Sequence, residues 1–380
     1  MSVPRGPKMV DFNRKSFRDL DLALLAAPIL LGALGCLGIY STAPGTDLWK
    51  KQLVFLVLGI AFSLALAFTD YRKILVLIAP FFYLGVILML VMVLVGFGVK
   101  VNGNTSWLKL PGGIRFQPSE FAKLAVILML ARQVAQVNDK KNAGEDKPLS
   151  LRDIVIMGLI VLPPVLLVRL ENDTGTMLTF GAILATFYFM AGMRKIMLLG
   201  GVVFVAVGLV AVYPHLKGYQ KERIKAVIEP DKVDPRGFGY QTIQSVIAVG
   251  SGGALGKGLS NGTQGRLGFL PYAYSDFIGA ALAEETGLAG ILFLMLLYLL
   301  LIWRLIAVAR VARDRAGALM IMGLVGLLTF HIACNLGMVV GLMPTIGIPL
   351  PLMSQGGTAV LSIFAGIGLA LSVRVKRFVN

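Results

Sequence analysis

The sequence predicts an all-α, polytopic integral membrane protein of about ten transmembrane helices with one large extracytoplasmic loop. Three observations carry this: 57 % of the 380 residues are hydrophobic, only 15 % are charged, and the mean hydropathy is +0.80. A soluble domain is nearer half apolar and a quarter charged. The apolar residues also come in long runs. About 20 residues rising about 1.5 Å each cross a hydrocarbon core about 30 Å thick. Ten segments qualify, at 20–42, 51–69, 74–98, 118–137, 153–169, 174–193, 195–213, 277–303, 316–340 and 358–374.

An even number of spans puts both termini on one side, and Lys and Arg say which. The N-terminal side collects Arg14, Lys15, Arg72, Lys73, Arg152, Arg194, Arg313, Arg315 and Arg374, while the short connections of the other side hold only Lys50, Lys51, Lys100, Lys109, Arg115, Lys123 and Arg169. Cytoplasmic loops carry the basic excess, so both termini are expected in the cytoplasm. A cytoplasmic segment 1–19, a membrane domain 20–377 with an extracytoplasmic loop at about 214–276, and a tail 378–380 follow. The net charge of +16 punctuates apolar runs instead of forming a patch, which argues for membrane lipids and against nucleic acid as partner. Cys36 and Cys334 lie inside apolar runs and imply neither a disulfide nor a zinc site.

The long loop has structure of its own. Tyr219, Arg223, Ala226 and Val227 form one stripe of an interfacial helix, and the apolar run 242–255, too short to span, is expected to re-enter the bilayer or pack over a cavity.

Ionisable groups at membrane depth are costly and mark sites. Pro118 opens the fourth span, and Glu120 and Lys123 then lie one turn apart, either as a local ion pair or as the polar lining of an outward cavity. Asp173 stands before the sixth span, where an N-cap is the ordinary reading. The segment 250–258, with Ser251, Gly252, Gly253 and Lys257, lacks the residues of a nucleotide P-loop yet offers N–H groups and a cation to a diphosphate, or is simply a flexible loop. Asp276 opens the eighth span, as a cap or, if covered, as a general base of raised pKa. Glu284 and Glu285 cannot both face lipid, and His331 and Asn335 suit inter-helix hydrogen bonds better than a metal.

In their order, Arg115 to Lys123, Asp173-Thr174-Gly175-Thr176, Gln244 with the 247–253 stretch, Gly262-Thr263-Gln264, Phe269-Leu270-Pro271 with Asp276-Phe277, and 347–351 followed by Ser354-Gln355-Gly356-Gly357 resemble the shape, elongation, division and sporulation family of membrane glycosyltransferases, its elongation branch above all. The resemblance implies an enzyme of the bacterial cytoplasmic membrane that polymerises lipid II into peptidoglycan beside a class B penicillin-binding protein, with Asp276 as base. It implies Arg115, Glu120, Lys123, Gln244, Ser251, Gly252, Gly253 and Lys257 as substrate-binding, and Trp107, Asp173, Glu284 and Ser354 as further candidates. A divalent cation, Mg or Mn, is compatible with it and is assigned no ligand. The sequence departs from the family pattern at Ser106, Glu171-Asn172, Tyr272, Tyr274, Ser275 and Gln355, which puts the surroundings of the base in question. A lipid-precursor flippase, a division-specific paralogue and a non-catalytic scaffold stand as alternatives.

Overall fold

A computed structural model describes residues 20–101, 104–140, 149–194, 218–229 and 239–376, with positions 196, 197, 199–201, 214, 234 and 237 between them. The helices are α1 (Leu22–Thr42), α2 (Leu48–Ala67), α3 (Tyr71–Phe97), α4 (Pro118–Lys140), α5 (Leu151–Leu170), α6 (Thr174–Met190), α7 (Gly218–Ile228), α8 (Tyr240–Gly252), α9 (Ile278–Arg310), α10 (Arg315–Val339) and α11 (Gly357–Lys376). Among the described residues, seven are long and apolar enough to cross a membrane: α1, α2, α3, α5, α9, α10 and α11. The apolar α6 is shorter, and α4 is a buried helix of lower hydropathy. Nine of the ten expected spans therefore coincide with helices, and the one at 195–213 lies largely outside the described residues.

The outer faces show the solvent. Leu151, Val155, Leu159, Leu162 and Leu166 run exposed along α5, and Val76, Leu77, Phe81, Leu84 and Leu88 do so along α3. Stripes of this kind would aggregate in water and are at rest in lipid. The core sits around α11, where nearly every side chain is buried. Small residues let backbones meet there, since a Cβ on Gly368 of α11 would lie 2.6 Å from the Ser63 carbonyl oxygen of α2.

One end of the bundle carries a three-stranded antiparallel sheet, β1 (Gly98–Val101), β2 (Asn104–Lys109) and β3 (Arg115–Phe116), in that order, with Lys109 opposite Arg115. The same end carries the segments 253–277 and 341–356. At the other end Arg304 pairs with the buried Asp21, and Asp314 accepts from Tyr71 Oη at 2.6 Å and from Arg72 Nε at 2.8 Å.

Two expectations need correction here. The span expected as continuous over 277–303 is broken at Gly287, whose φ of 66° and ψ of −165° leave the helix. The break exposes backbone groups that lipid cannot satisfy. Segment 253–258 satisfies them: Leu288 N bonds to Gly253 O at 2.9 Å, Ala289 N to Ala254 O at 3.1 Å, Lys257 N to Glu284 O at 3.0 Å and Gly258 N to Glu285 O at 2.9 Å. The glycine-rich segment is therefore tied to α9 and is no flexible loop, and Lys257 N and Gly258 N already have partners. The apolar run at 242–255 is α8, which packs over the bundle, with Ser245 Oγ donating to Val339 O of α10 at 2.7 Å.

Gly252 ends the buried face of α8, and a Cβ there would lie 2.0 Å from Ala283 O. Gly252→Ala is expected to destabilise the protein by about 1–3 kcal/mol through overpacking, read as a lower melting temperature in detergent. An unchanged melting temperature with weakened substrate binding would support the substrate role expected for this residue.

Candidate active site

The bundle end with the sheet gathers the carboxylates that the sequence singled out. Asp276 is held by its backbone. Asn335 Nδ2 of α10 donates to Asp276 O at 2.8 Å and to Ile348 O at 2.8 Å, Ser354 Oγ donates to Ser275 O at 2.6 Å, and Gln355 N donates to Tyr274 O at 3.0 Å. Gln52 of α2 ties in the same segment, donating to Ser354 O at 3.0 Å and accepting from Gly356 N at 3.2 Å. The Asp276 carboxylate takes no hydrogen bond from any described residue, and α9 begins after Phe277 without a side-chain cap. The capping role open to Asp276 is therefore unused, and its carboxylate is spare. By surface area it is only partly covered, although protein surrounds it closely. Burial, and then the charge of Asp173, push it up to about 6 against the pull of Arg223.

Asp173 does cap α6. Its Oδ1 accepts from Thr176 N at 2.9 Å, and its Oδ2 accepts from Thr176 Oγ1 at 2.8 Å and from Gln117 Nε2 at 3.2 Å. The Gln117 bond ties this turn to the entry of α4. One turn into α4, Lys123 Nζ meets Glu120 Oε1 at 2.7 Å, with both side chains almost fully buried. This pair, His331 and Ser354 line a cavity of about 20 Å³, room for about one water. His331 approaches Thr179 Oγ1 at 3.2 Å and Pro349 O at 3.3 Å, the inter-helix role expected of it.

The other expected site residues take no part in these contacts. Glu284, fully buried, accepts from Lys257 Nζ at 2.6 Å, Thr263 Oγ1 at 2.7 Å, Thr263 N at 2.8 Å and Gln264 N at 3.0 Å. Lys257 is thus bound in a knot that anchors 257–264 to α9, and Glu285 is bonded to Ser41. Ser251 Oγ donates to Ala248 O at 3.0 Å, Gly252 and Gly253 end α8, and Gln244 is half-buried on it. Arg115 is exposed on β3, and Trp107 is half-buried on β2. Of the departures, Gln355 engages through its backbone, which any residue supplies, and Tyr272 takes a left-handed φ of 59° in the turn before Asp276.

In the sequence Arg223 reads only as part of a stripe, and the structure also gives it a part in the site. Its Nη1 donates to Thr345 O at 2.7 Å, which pins α7 on the 341–356 segment, and its charge reaches Asp276. Its place on the most basic helix of the long loop was the available signal. Among the described residues no three His, Cys, Asp or Glu side chains converge, so this donor set does not form a cage for a resident cation.

Comparison with known proteins agrees with this layout. The cell cycle protein family of FtsW, RodA and SpoVE matches residues 22–378. The chain belongs to this family. It is the shape, elongation, division and sporulation family that the motifs resemble. Among FtsW/RodA/SpoVE relatives, the peptidoglycan glycosyltransferase MrdB of Escherichia coli K12 is 37 % identical over 371 residues, 96 % of this chain and 97 % of that protein. A probable peptidoglycan glycosyltransferase FtsW of Trichlorobacter lovleyi is 32 % identical over 379 residues, 96 % of each. A chain of a peptidoglycan synthase complex, described as coordinating polymerization and crosslinking, superposes with a TM-score of 0.80 at 34 % identity, covering 95 % of this chain and 99 % of that one. The rod shape determining protein RodA of Thermus thermophilus superposes at 0.69 with 28 % identity, covering 95 % and 98 %.

Proposed function

We propose that this chain is a peptidoglycan glycosyltransferase of the bacterial cytoplasmic membrane, with both termini cytoplasmic, that polymerises lipid II during cell elongation beside a class B penicillin-binding protein. One observation carries the chemistry: a carboxylate with no structural task, held by its backbone at the mouth of the bundle and raised to about 6. Asp276 takes the proton of the acceptor sugar's 4-hydroxyl, and that oxygen attacks the donor's anomeric carbon. The bond from this carbon to the lipid diphosphate then breaks, so an α-linked donor gives a β-linked product and undecaprenyl diphosphate leaves with the bonding electrons. A base of pKa near the working pH suits this step. Cations stabilise the charge that builds on the diphosphate, and Lys123 and Arg223 are those grouped with the carboxylates. A bound Mg or Mn ion would supply further counter-charge to the diphosphate.

The test supplies lipid II to the purified chain with its penicillin-binding partner and resolves glycan strands on gels, with a known polymerase as control. Strands are expected, and their rate should rise about tenfold per pH unit up to about pH 6 and then level, because the base works only when ionised. No polymer where the control succeeds, with lipid II crossing vesicles instead, would establish the flippase. Neither activity would leave the scaffold.

A further inference from the structure

Glu171 is a titratable group with no part in the mechanism above. It closes α5 and is 1 % exposed, and neither of its carboxylate oxygens has a hydrogen-bond partner. Ser106 faces it from β2, 2 % exposed, and its Oγ is likewise without a partner of good geometry. Two orphaned buried groups side by side need an explanation. An ionised carboxylate there, with the serine hydroxyl as its one facing donor, would still carry most of the cost of an uncompensated buried charge. The neutral acid has an O–H of its own, so it and the serine hydroxyl supply each other with donor and acceptor after a small rotation.

The neighbourhood points the same way. Asp173 lies two residues on, in the same turn, with its oxygens committed to Thr176 and Gln117. From α4, Glu120 and Lys123 act on Asp173, while Arg169 on α5 is exposed. Two carboxylates in one covered turn do not both ionise easily, and the one without donors keeps its proton. Burial pushes Glu171 up to about 8, with Asp173 adding to the rise and Ser106 opposing it. The turn is tightly drawn: Asn172 has a φ of 64°, Asn172 N bonds to Arg169 O at 3.2 Å and Asp173 N to Val168 O at 3.3 Å.

We propose that Glu171 is a positioning residue that works as a neutral carboxylic acid, paired with Ser106, and that loss of its proton sets the alkaline limit of the transfer reaction. The ionised form places a second negative charge beside Asp173, whose own charge already bears on Asp276, and loosens the turn that links α5, α6 and, through Gln117, α4. This rests on the glycosyltransferase reading, so the test includes a measurement that needs no activity.

Strand formation by the complex is followed from pH 6 to 10 for the wild type and for Glu171→Gln, Glu171→Ala and Ser106→Ala. The wild type should lose about tenfold per unit above about pH 8. Glu171→Gln, a permanently neutral mimic, should keep at least half the wild-type rate at pH 7.5 and move the alkaline fall up by a unit or more. Glu171→Ala should be slower at every pH, and Ser106→Ala should move the fall upward because a donor to the ionised form is gone. Infrared spectra of the same samples should show the carbonyl stretch of a protonated carboxyl at pH 7 in the wild type and not in Glu171→Gln. An unmoved alkaline fall in Glu171→Gln, or a folded Glu171→Gln inactive at every pH, overturns the proposal. So does an infrared band that Glu171→Gln leaves in place, whether or not the wild type polymerises.

Discussion

Asp276→Asn is expected to lower the rate of strand formation by a factor of about 10²–10⁴, the usual contribution of a positioned base, while leaving the fold intact. The structure separates the two effects. What holds Asp276 is its backbone oxygen, bonded to Asn335, and the neighbouring Ser275 oxygen, bonded to Ser354, and Asn keeps both. The lost group is a carboxylate that takes no hydrogen bond from any described residue. Its raised pKa means that the folded state keeps a proton which an unfolded chain releases near 3.8, so its contribution to stability falls as pH climbs from there to about 6. Above pH 6 the ionised group only burdens the fold, and the Asn variant should melt at the wild-type temperature or higher at pH 7.5. A variant that melts earlier, or polymerises as fast as the wild type, removes Asp276 from the role of base.

That residue was legible because an acid at the mouth of an apolar run is conspicuous in a chain with so few charges. The helices were legible for the same reason: length and hydropathy locate a span without reference to its neighbours. What stayed hidden depended on partners distant in sequence. Gly287 sits in an apolar run like any other glycine, and only pairing with 253–258 shows that the helix breaks there. The bond from Lys257 to Glu284, 27 residues away, is likewise invisible to any local pattern. Arg223 reads as one member of a stripe because its approach to Asp276 depends on α7 docking through the Thr345 carbonyl, 122 residues on. Local rules also left two readings of Asp276 open, cap or base, and the structure closed the first because α9 starts without a side-chain cap.

The Glu120–Lys123 pair should give the largest effect on stability, and it separates structure from chemistry. The two side chains are 2.7 Å apart and almost fully buried, so each charge is tolerable only in the presence of the other. Lys123→Met keeps the aliphatic bulk and strands Glu120 in the core. A loss of about 3–5 kcal/mol is expected, the usual cost of breaking such a pair, seen as a sharply lower melting temperature. Adding Glu120→Gln removes the stranded charge, and a neutral pair of similar shape should restore most of the stability, since a buried ion pair is seldom better than its isosteric replacement. Strand formation should not return in the double variant. The cation grouped with Asp173 beside the base is missing from it, and its neutral replacement supplies no charge to the departing diphosphate. If melting temperature and activity recover together, Lys123 is structural and the diphosphate is met by other cations, with Arg223 the first to test. A double variant as unstable as Lys123→Met would mean that the lysine holds this region through something other than its bond to Glu120.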